Sequence, residues 1–210
     1  MTNVLTYANG FVPTKTLGGS GSYNTVRFSK NASATGADAR IAIGDPVRLT
    51  SNGTVEKFLT ADVSAAVGSF LGVVNGIAKA NGAPKHHRPE QSSSVSLSAD
   101  TTDLFDVIVD RNVVFSVETQ LSAQTAVSAA KFIGQTVNVA FLSASGNDDK
   151  LGKSTAYVLP YTATSGEFAP FKVIGISDTV QEATNGVTNT NQVFQVVANF
   201  GVFNGNTGSA

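Results

Sequence analysis

The 210-residue chain has no cysteine and no tryptophan, and it has only two histidines and one methionine. Without thiols it cannot have a disulfide scaffold, a cysteine nucleophile or a cysteine-ligated zinc or iron–sulfur site. Only 14% of the residues are charged, against about 25% in an ordinary globular chain. The polar surface must therefore come mainly from serine, threonine, asparagine and glycine.

An excess of either charge is also missing, since 14 lysines and arginines face 15 aspartates and glutamates. Nucleic-acid binding relies on basic residues that displace counterions from phosphates, so we expect no nucleic-acid partner. No run approaches the roughly 18–20 apolar residues that cross a bilayer, so we expect no membrane partner. Residues 1–22 lack the basic and apolar regions of a secretory signal. We therefore expect synthesis in the cytoplasm of the cell that makes the protein.

The residues that are present favour an all-β fold, because short runs rich in valine, isoleucine and phenylalanine are separated by glycine, asparagine and serine turns. One segment, 122–132, is instead composed of good helix formers between Ser122 and Gly134. We predict a β-barrel or sandwich core with one short helix and an extended terminal arm. The predicted strands are 23–30, 47–49, 54–60, 70–77, 104–109, 113–117, 135–142, 156–161, 171–177 and 192–203.

Three local patterns predict how these strands are joined. The Asn52-Gly53 pair favours a hairpin with a primed turn, because both residue types tolerate positive φ. Pro46 cannot donate to a ladder and is expected at a sheet edge or a bulge. Residues 110–112 separate two strand candidates, and a hairpin is the simplest connection.

The composition divides the chain into an extended N-terminal arm (1–22), a β-barrel or sandwich domain (23–204) and a flexible C-terminal tail (205–210). The arm has no regular period, yet Tyr7, Phe11 and its other apolar residues are too many for a solvated linker. If ordered, the arm lies on its own barrel or on a neighbouring molecule. The alternative is a frayed terminus.

No set of residues predicts catalysis, a metal site or a cofactor. His86 and His87 are adjacent, so they point to opposite sides of an extended chain and cannot easily share a metal. Residues 18–21 (GGSG) precede a strand and lack the lysine of a phosphate-binding loop. The acidic stretch 147–149 fits a polar turn better than a calcium loop. We therefore expect a protein that is not an enzyme and has no cofactor.

Six segments, taken in chain order, carry a resemblance to a known family. They are 41–47 (IAIGDPV), 71–74 (LGVV), 107–115 (VIVDRNVVF), 133–139 (IGQTVNV), 171–176 (FKVIGI) and 193–199 (VFQVVAN). Their series resembles the capsid cement or decoration proteins of tailed bacteriophages, which stabilise the head, and it extends from about residue 10 to residue 204.

The resemblance implies a mainly β virion protein on the outer capsid surface, bound where major capsid subunits meet. Its expected partners are the major capsid protein and further copies of itself, as a dimer or trimer. We predict contacts with the capsid from the arm and from the basic loop 85–88: Tyr7, Phe11, Lys85, His86, His87 and Arg88. The alternative is a carbohydrate-binding β module for host attachment, although the lack of tryptophan and the presence of only four tyrosines argue against it.

Overall fold

The computed structural model describes residues 10–19, 21–31, 41–59, 70–84, 103–120, 131–141, 154–160, 169–177 and 191–199. Within these ranges the chain forms eleven strands and no helix, which confirms the all-β prediction. The strands are β1 (Val12–Thr16), β2 (Thr25–Ser29), β3 (Pro46–Leu49), β4 (Val55–Lys57), β5 (Phe70–Ala78), β6 (Leu104–Ile108), β7 (Val113–Gln120), β8 (Thr136–Phe141), β9 (Ala156–Pro160), β10 (Phe171–Ile176) and β11 (Asn191–Ala198).

The first sheet has the strand order β1-β7-β11-β10-β8-β9 and closes on itself. Closure comes from a parallel pairing of β9 with β7 at Thr119 and Val158. The Thr119 hydroxyl reinforces it by donating a 2.9 Å hydrogen bond to the Val158 carbonyl. Strands β7, β11, β10, β8 and β9 therefore form a five-stranded barrel, and β1 pairs with β7 as an added strand.

The second sheet has five strands in the order β2-β6-β5-β3-β4. Its two end strands also approach each other, because Lys30, directly after β2, forms a parallel bridge with Val55 of β4. Beside this bridge the Asn31 amide donates a 2.9 Å hydrogen bond to the Val55 carbonyl. The two contacts curl the second sheet around its own apolar residues.

The largest core cluster joins the two sheets. Phe171 of β10 stacks on Phe11 with ring centroids 4.3 Å apart, and it meets Phe70 of β5 edge-on at 5.1 Å. All three rings are essentially inaccessible to solvent. A smaller cluster fills the second sheet: Ile41, Val47, Val55, Leu71, Val74, Phe105 and Val107. Burial of aromatic rings from both sheets in one cluster is what holds the sheets against each other.

The predicted hairpin at 110–112 is wrong, because β6 belongs to the second sheet and β7 to the first. The connection instead carries the chain from one sheet to the other. It is tightened by the Asp110 carboxylate, which accepts a 2.9 Å hydrogen bond from the Asn112 amide. Ile108 before the turn and Val113 after it are both buried in the shared cluster, so tertiary packing favours the crossing.

The hairpin at Asn52-Gly53 is confirmed, since β3 and β4 pair in antiparallel register around it. Its turn differs from the primed form. The Gly53 amide donates to the Thr50 carbonyl at 3.0 Å, and the Thr50 amide donates to the Thr54 carbonyl at 2.9 Å. With Gly53 at φ +74°, these bonds describe a three-residue loop that ends in a left-handed glycine.

Pro46 is the first residue of β3, where a missing amide proton costs little. The β3–β5 register shifts between Val47 and Arg48, directly beside the proline. The predicted bulge is therefore confirmed. The strand is not at an edge, because β3 lies between β5 and β4.

The predicted helix 122–132 lies almost wholly outside the described residues, and so does the tail 205–210. The last two helix positions, Lys131 and Phe132, are described and belong to a turn. This turn is closed by a 2.9 Å bond from the Gln135 amide to the Phe132 carbonyl, with Gly134 at φ +88°.

Candidate contact surface

Of the six residues predicted to contact a capsid, only Phe11 is among those that the structure describes. Its side chain is 1% exposed, so Phe11 is a core residue and the predicted capsid contact of this side chain is wrong. Besides Phe171, the ring meets Phe115 edge-on at 6.2 Å. Tyr7, Lys85, His86, His87 and Arg88 lie outside the described residues and stay predictions.

The described part of the arm lies on the chain's own sheet, one of the two placements expected of an ordered arm. Strand β1 pairs with β7 in antiparallel register. At its start the Phe11 amide donates to the Gly44 carbonyl at 2.9 Å, and after its end the Leu17 amide donates to the Asn112 carbonyl at 2.8 Å. Residues 11–17 therefore belong to the fold rather than to an appendage.

Glycine is required at the point where the arm enters the sheet. Gly10 has φ +67°, and a Cβ built there would lie 2.3 Å from the Ser154 Cβ and 2.8 Å from the Gly44 carbonyl oxygen. Any side chain would therefore push the segment away from Gly44 and Ser154. This close approach fixes the position at which β1 begins to follow the sheet.

Leu17, which lies beside β1, is the most exposed of the large apolar side chains that the structure describes. Val12 is 47% exposed, and Leu17, in the turn after β1, is 58% exposed. The free edge of β1 is poorly suited to accept another strand, because it contains Pro13 and Lys15 and its register shifts between them. We define Val12, Lys15 and Leu17 as the β1 surface, which can bind a partner through side chains.

Buried charge is concentrated in the second sheet, at the turn before β3. The Asp45 side chain is fully buried, and its Oδ2 accepts a 2.8 Å hydrogen bond from the Ala42 amide. The same oxygen lies 3.0 Å from the Lys57 Nζ. This ammonium group also lies 4.6 Å from the centre of the Phe141 ring in β8. The pair therefore links the second sheet to the barrel by a cation–π contact.

Two further ion pairs lie on the second sheet. The Glu56 carboxylate accepts hydrogen bonds from the Arg48 Nε and the Asn31 Nδ2, both at 2.7 Å. Arg27 forms a two-point contact with Asp106, through Nε at 2.7 Å and Nη2 at 3.0 Å. The hydrogen bond to Asp106, with its negative charge, raises the already high pKa of Arg27, so this guanidinium stays charged.

The described residues contain no group of three or more histidine, cysteine, aspartate or glutamate side chains placed to hold a metal ion. No described helix is long and apolar enough to span a membrane. Comparison of the chain with protein-family models, with curated proteins and with solved structures found no match.

Tyr157 of β9 gives a test of the barrel that does not depend on function. It is 9% exposed and packs with Ala140 and Leu159, and burial raises its pKa above the ordinary value of 10.0. The folded state therefore favours the neutral phenol, and the stability this gives is present below pH 10 and lost as the pH rises through the raised pKa. Tyrosinate absorbance, compared between the protein and its Tyr157→Phe variant, should show this ring ionising above pH 10. If the difference between the two proteins showed Tyr157 ionising at or below pH 10, the buried placement of its ring would be contradicted.

Proposed function

We propose that this protein is a structural component of a bacteriophage virion, which binds the outer surface of the head and cements neighbouring major capsid subunits. The observation that carries the proposal is the ordered series of six segments that resemble the cement proteins. In the structure these segments contribute to β3, β5, β6, β7, β8, β10 and β11, which come from both sheets. The resemblance therefore involves the strands that form the framework of the fold.

The form of the molecule supports this proposal on physical grounds. A protein that clamps a shell needs a rigid body with side chains that can reach its neighbours, and it needs no group with a tuned pKa. The barrel supplies rigidity, and the β1 surface offers exposed apolar groups on its outer side. Many copies on a symmetric shell gain avidity, so that each contact can be weak.

Reconstitution tests the proposal. Purified protein is added to heads that lack it, and bound copies are counted by electron microscopy before the heads are heated. We expect regular occupancy of the outer surface and a higher temperature of head disruption. Heads that bind no protein, or that bind it without gaining stability, would overturn the proposed function.

The same assay tests the β1 surface. Leu17→Asp should weaken attachment by about tenfold or more, because the variant loses apolar burial and places a carboxylate in the contact. Ile133→Asp is the matched control, since Ile133 is also an apolar residue in a turn and is 49% exposed. Equal attachment of the two variants would exclude the β1 surface from the interface while leaving shell binding itself intact.

The alternative, a carbohydrate-binding module, gains no support from the described tyrosines. Tyr157 is buried, and Tyr23 is half-buried with its hydroxyl 3.4 Å from the Asn75 Oδ1. Sugar rings pack on exposed aromatic faces, and neither ring offers one. Selective binding on a glycan array would favour this alternative over cementing.

A further inference from the structure

Strand β2 of the second sheet has an unpaired outer edge over most of its length, and this edge meets β4 only at its end, where Lys30 bridges Val55. It pairs with β6 over five consecutive residues without a register shift, and no other described strand pairs with residues 25–29. Four of its five side chains are exposed, including Val26 at 40%. An exposed edge that carries an exposed apolar residue is a template for pairing with another strand.

The hydrogen bonds to β6 show which backbone groups of β2 remain available. The Val109 amide donates to the Asn24 carbonyl at 3.3 Å, and the Lys30 amide donates to the Asp103 carbonyl at 3.4 Å. Since bonded pairs alternate along antiparallel strands, the even-numbered residues of β2 bond to β6. The amides and carbonyls of Thr25 and Arg27 therefore point away from β6 on the unpaired side, whereas Val55 of β4 occupies this side at residues 29–31.

The unpaired edges of β1 and β2 differ in their suitability for pairing. The edge of β1 is interrupted by Pro13 and by a register shift, both of which hinder the addition of a strand. The edge of β2 contains neither feature, and Thr25 and Arg27, which point outward, both keep their amide protons. Edge pairing is thus favoured at β2.

We propose that β2 pairs with β2 of a second copy, antiparallel, about a two-fold axis that passes between the two Val26 residues. Thr25 of each copy then lies opposite Arg27 of the other, and their outward backbone groups form four hydrogen bonds. The two Val26 side chains, which are on the same face, cover each other. The strand is therefore self-complementary, as an interface between identical copies must be.

This register also accommodates the charge on β2. Arg27 of each copy lies opposite a threonine hydroxyl, so the two guanidinium groups do not face each other directly. Each guanidinium is already held at two points by Asp106 of its own copy, which balances its charge. If the two-fold axis were instead at Arg27, one residue further along β2, the two Arg27 side chains would lie directly opposite each other, and their like charges would oppose pairing.

Single-cysteine variants test the proposal, because the native chain contains no cysteine. Directly opposed residues of a non-hydrogen-bonded pair have Cα atoms about 4.5 Å apart, within the roughly 4.4–6.8 Å that a disulfide spans. We expect Val26→Cys to form a covalent dimer under mild oxidation. Thr25→Cys, whose copies lie on a diagonal of about 7–8 Å, should link much less. Val12→Cys, at an exposed valine of β1, controls for random collision.

Sedimentation of the cysteine-free protein gives the second measurement. We expect a dimer that Thr25→Pro weakens by about tenfold or more, because proline removes two of the four interchain bonds and leaves the ladder to β6 complete. Thr25→Val, which keeps the amide, should dimerise normally, and thermal unfolding should show that both variants are folded. A monomeric native protein, or equal crosslinking of Val26→Cys and Val12→Cys, would overturn the proposal. The inference does not rest on the proposed function, since both measurements use the purified protein without heads.

Discussion

Replacing Phe11 with alanine is expected to lower the free energy of unfolding by about 3–5 kcal/mol, the usual cost of truncating a buried phenylalanine. The ring is 1% exposed and lies at the junction of the two sheets, stacked on Phe171. Its removal leaves a cavity beside Phe115 and Phe171, which the strands on either side cannot fill without moving. Urea unfolding of the two proteins, followed by circular dichroism, measures the loss.

Val12→Ala is the matched control, because Val12 is the next residue and is 47% exposed. Its effect should stay within about 0.5 kcal/mol, as is usual for surface substitutions. Comparable losses for the two variants would show that Phe11 is not a core residue. Deleting residues 1–22 should also destabilise the fold, because it removes Phe11 and β1 together.

The sequence predicts the strands well because a strand is a local pattern. Ten of the eleven described strands coincide with predicted ones, and the bulge beside Pro46 follows from the chemistry of proline. How strands are divided between sheets is not local. The short connection between β6 and β7 permits either a hairpin or a crossing, and the shared burial of Ile108 and Val113 favours the crossing.

Strand β1 was not predicted because edge strands have a weak pattern. Only one of its five residues, Thr16, is buried, and Pro13 and Lys15 are unfavourable in most strands. The useful signal was the apolar content of the arm, which indicated that it packs on something. That Phe11 packs in its own core could not be predicted, because its neighbours Phe115 and Phe171 are more than a hundred residues away in the chain.

The contacts of the IGDPV segment, residues 43–47, could not be predicted from the sequence either. Its sequence contributed to the resemblance but did not reveal why an aspartate is there. In the structure the Gly44 carbonyl accepts from the Phe11 amide, and the Gly44 amide donates to the Val74 carbonyl at 2.8 Å. Asp45 then accepts from Ala42 and from Lys57. This turn therefore connects the arm, the second sheet and, through Lys57 and Phe141, the barrel.

Replacing Lys57, whose ammonium group pairs with Asp45 in this turn, should also lower the free energy of unfolding substantially. Lys57→Met keeps most of the apolar stem but leaves the Asp45 carboxylate fully buried without a counter-charge. Breaking a buried pair in this way typically costs about 3–5 kcal/mol. The loss of the contact between Lys57 and the Phe141 ring adds to the cost. Chemical unfolding should show this loss, whereas Lys172→Met, which replaces an exposed lysine in β10, should change stability little.

A double-mutant cycle separates the buried charge from the packing. In the Asp45→Asn/Lys57→Met variant neither partner is charged, so no unpaired carboxylate remains, while the side-chain amide introduced by Asp45→Asn can still accept from the Ala42 amide. We expect the double variant to be more stable than Lys57→Met alone by about 1 kcal/mol or more, because the burial of an uncompensated charge is the main cost. Additive losses from the two substitutions would show that Asp45 and Lys57 are not coupled, and that the turn is held by its backbone bonds alone.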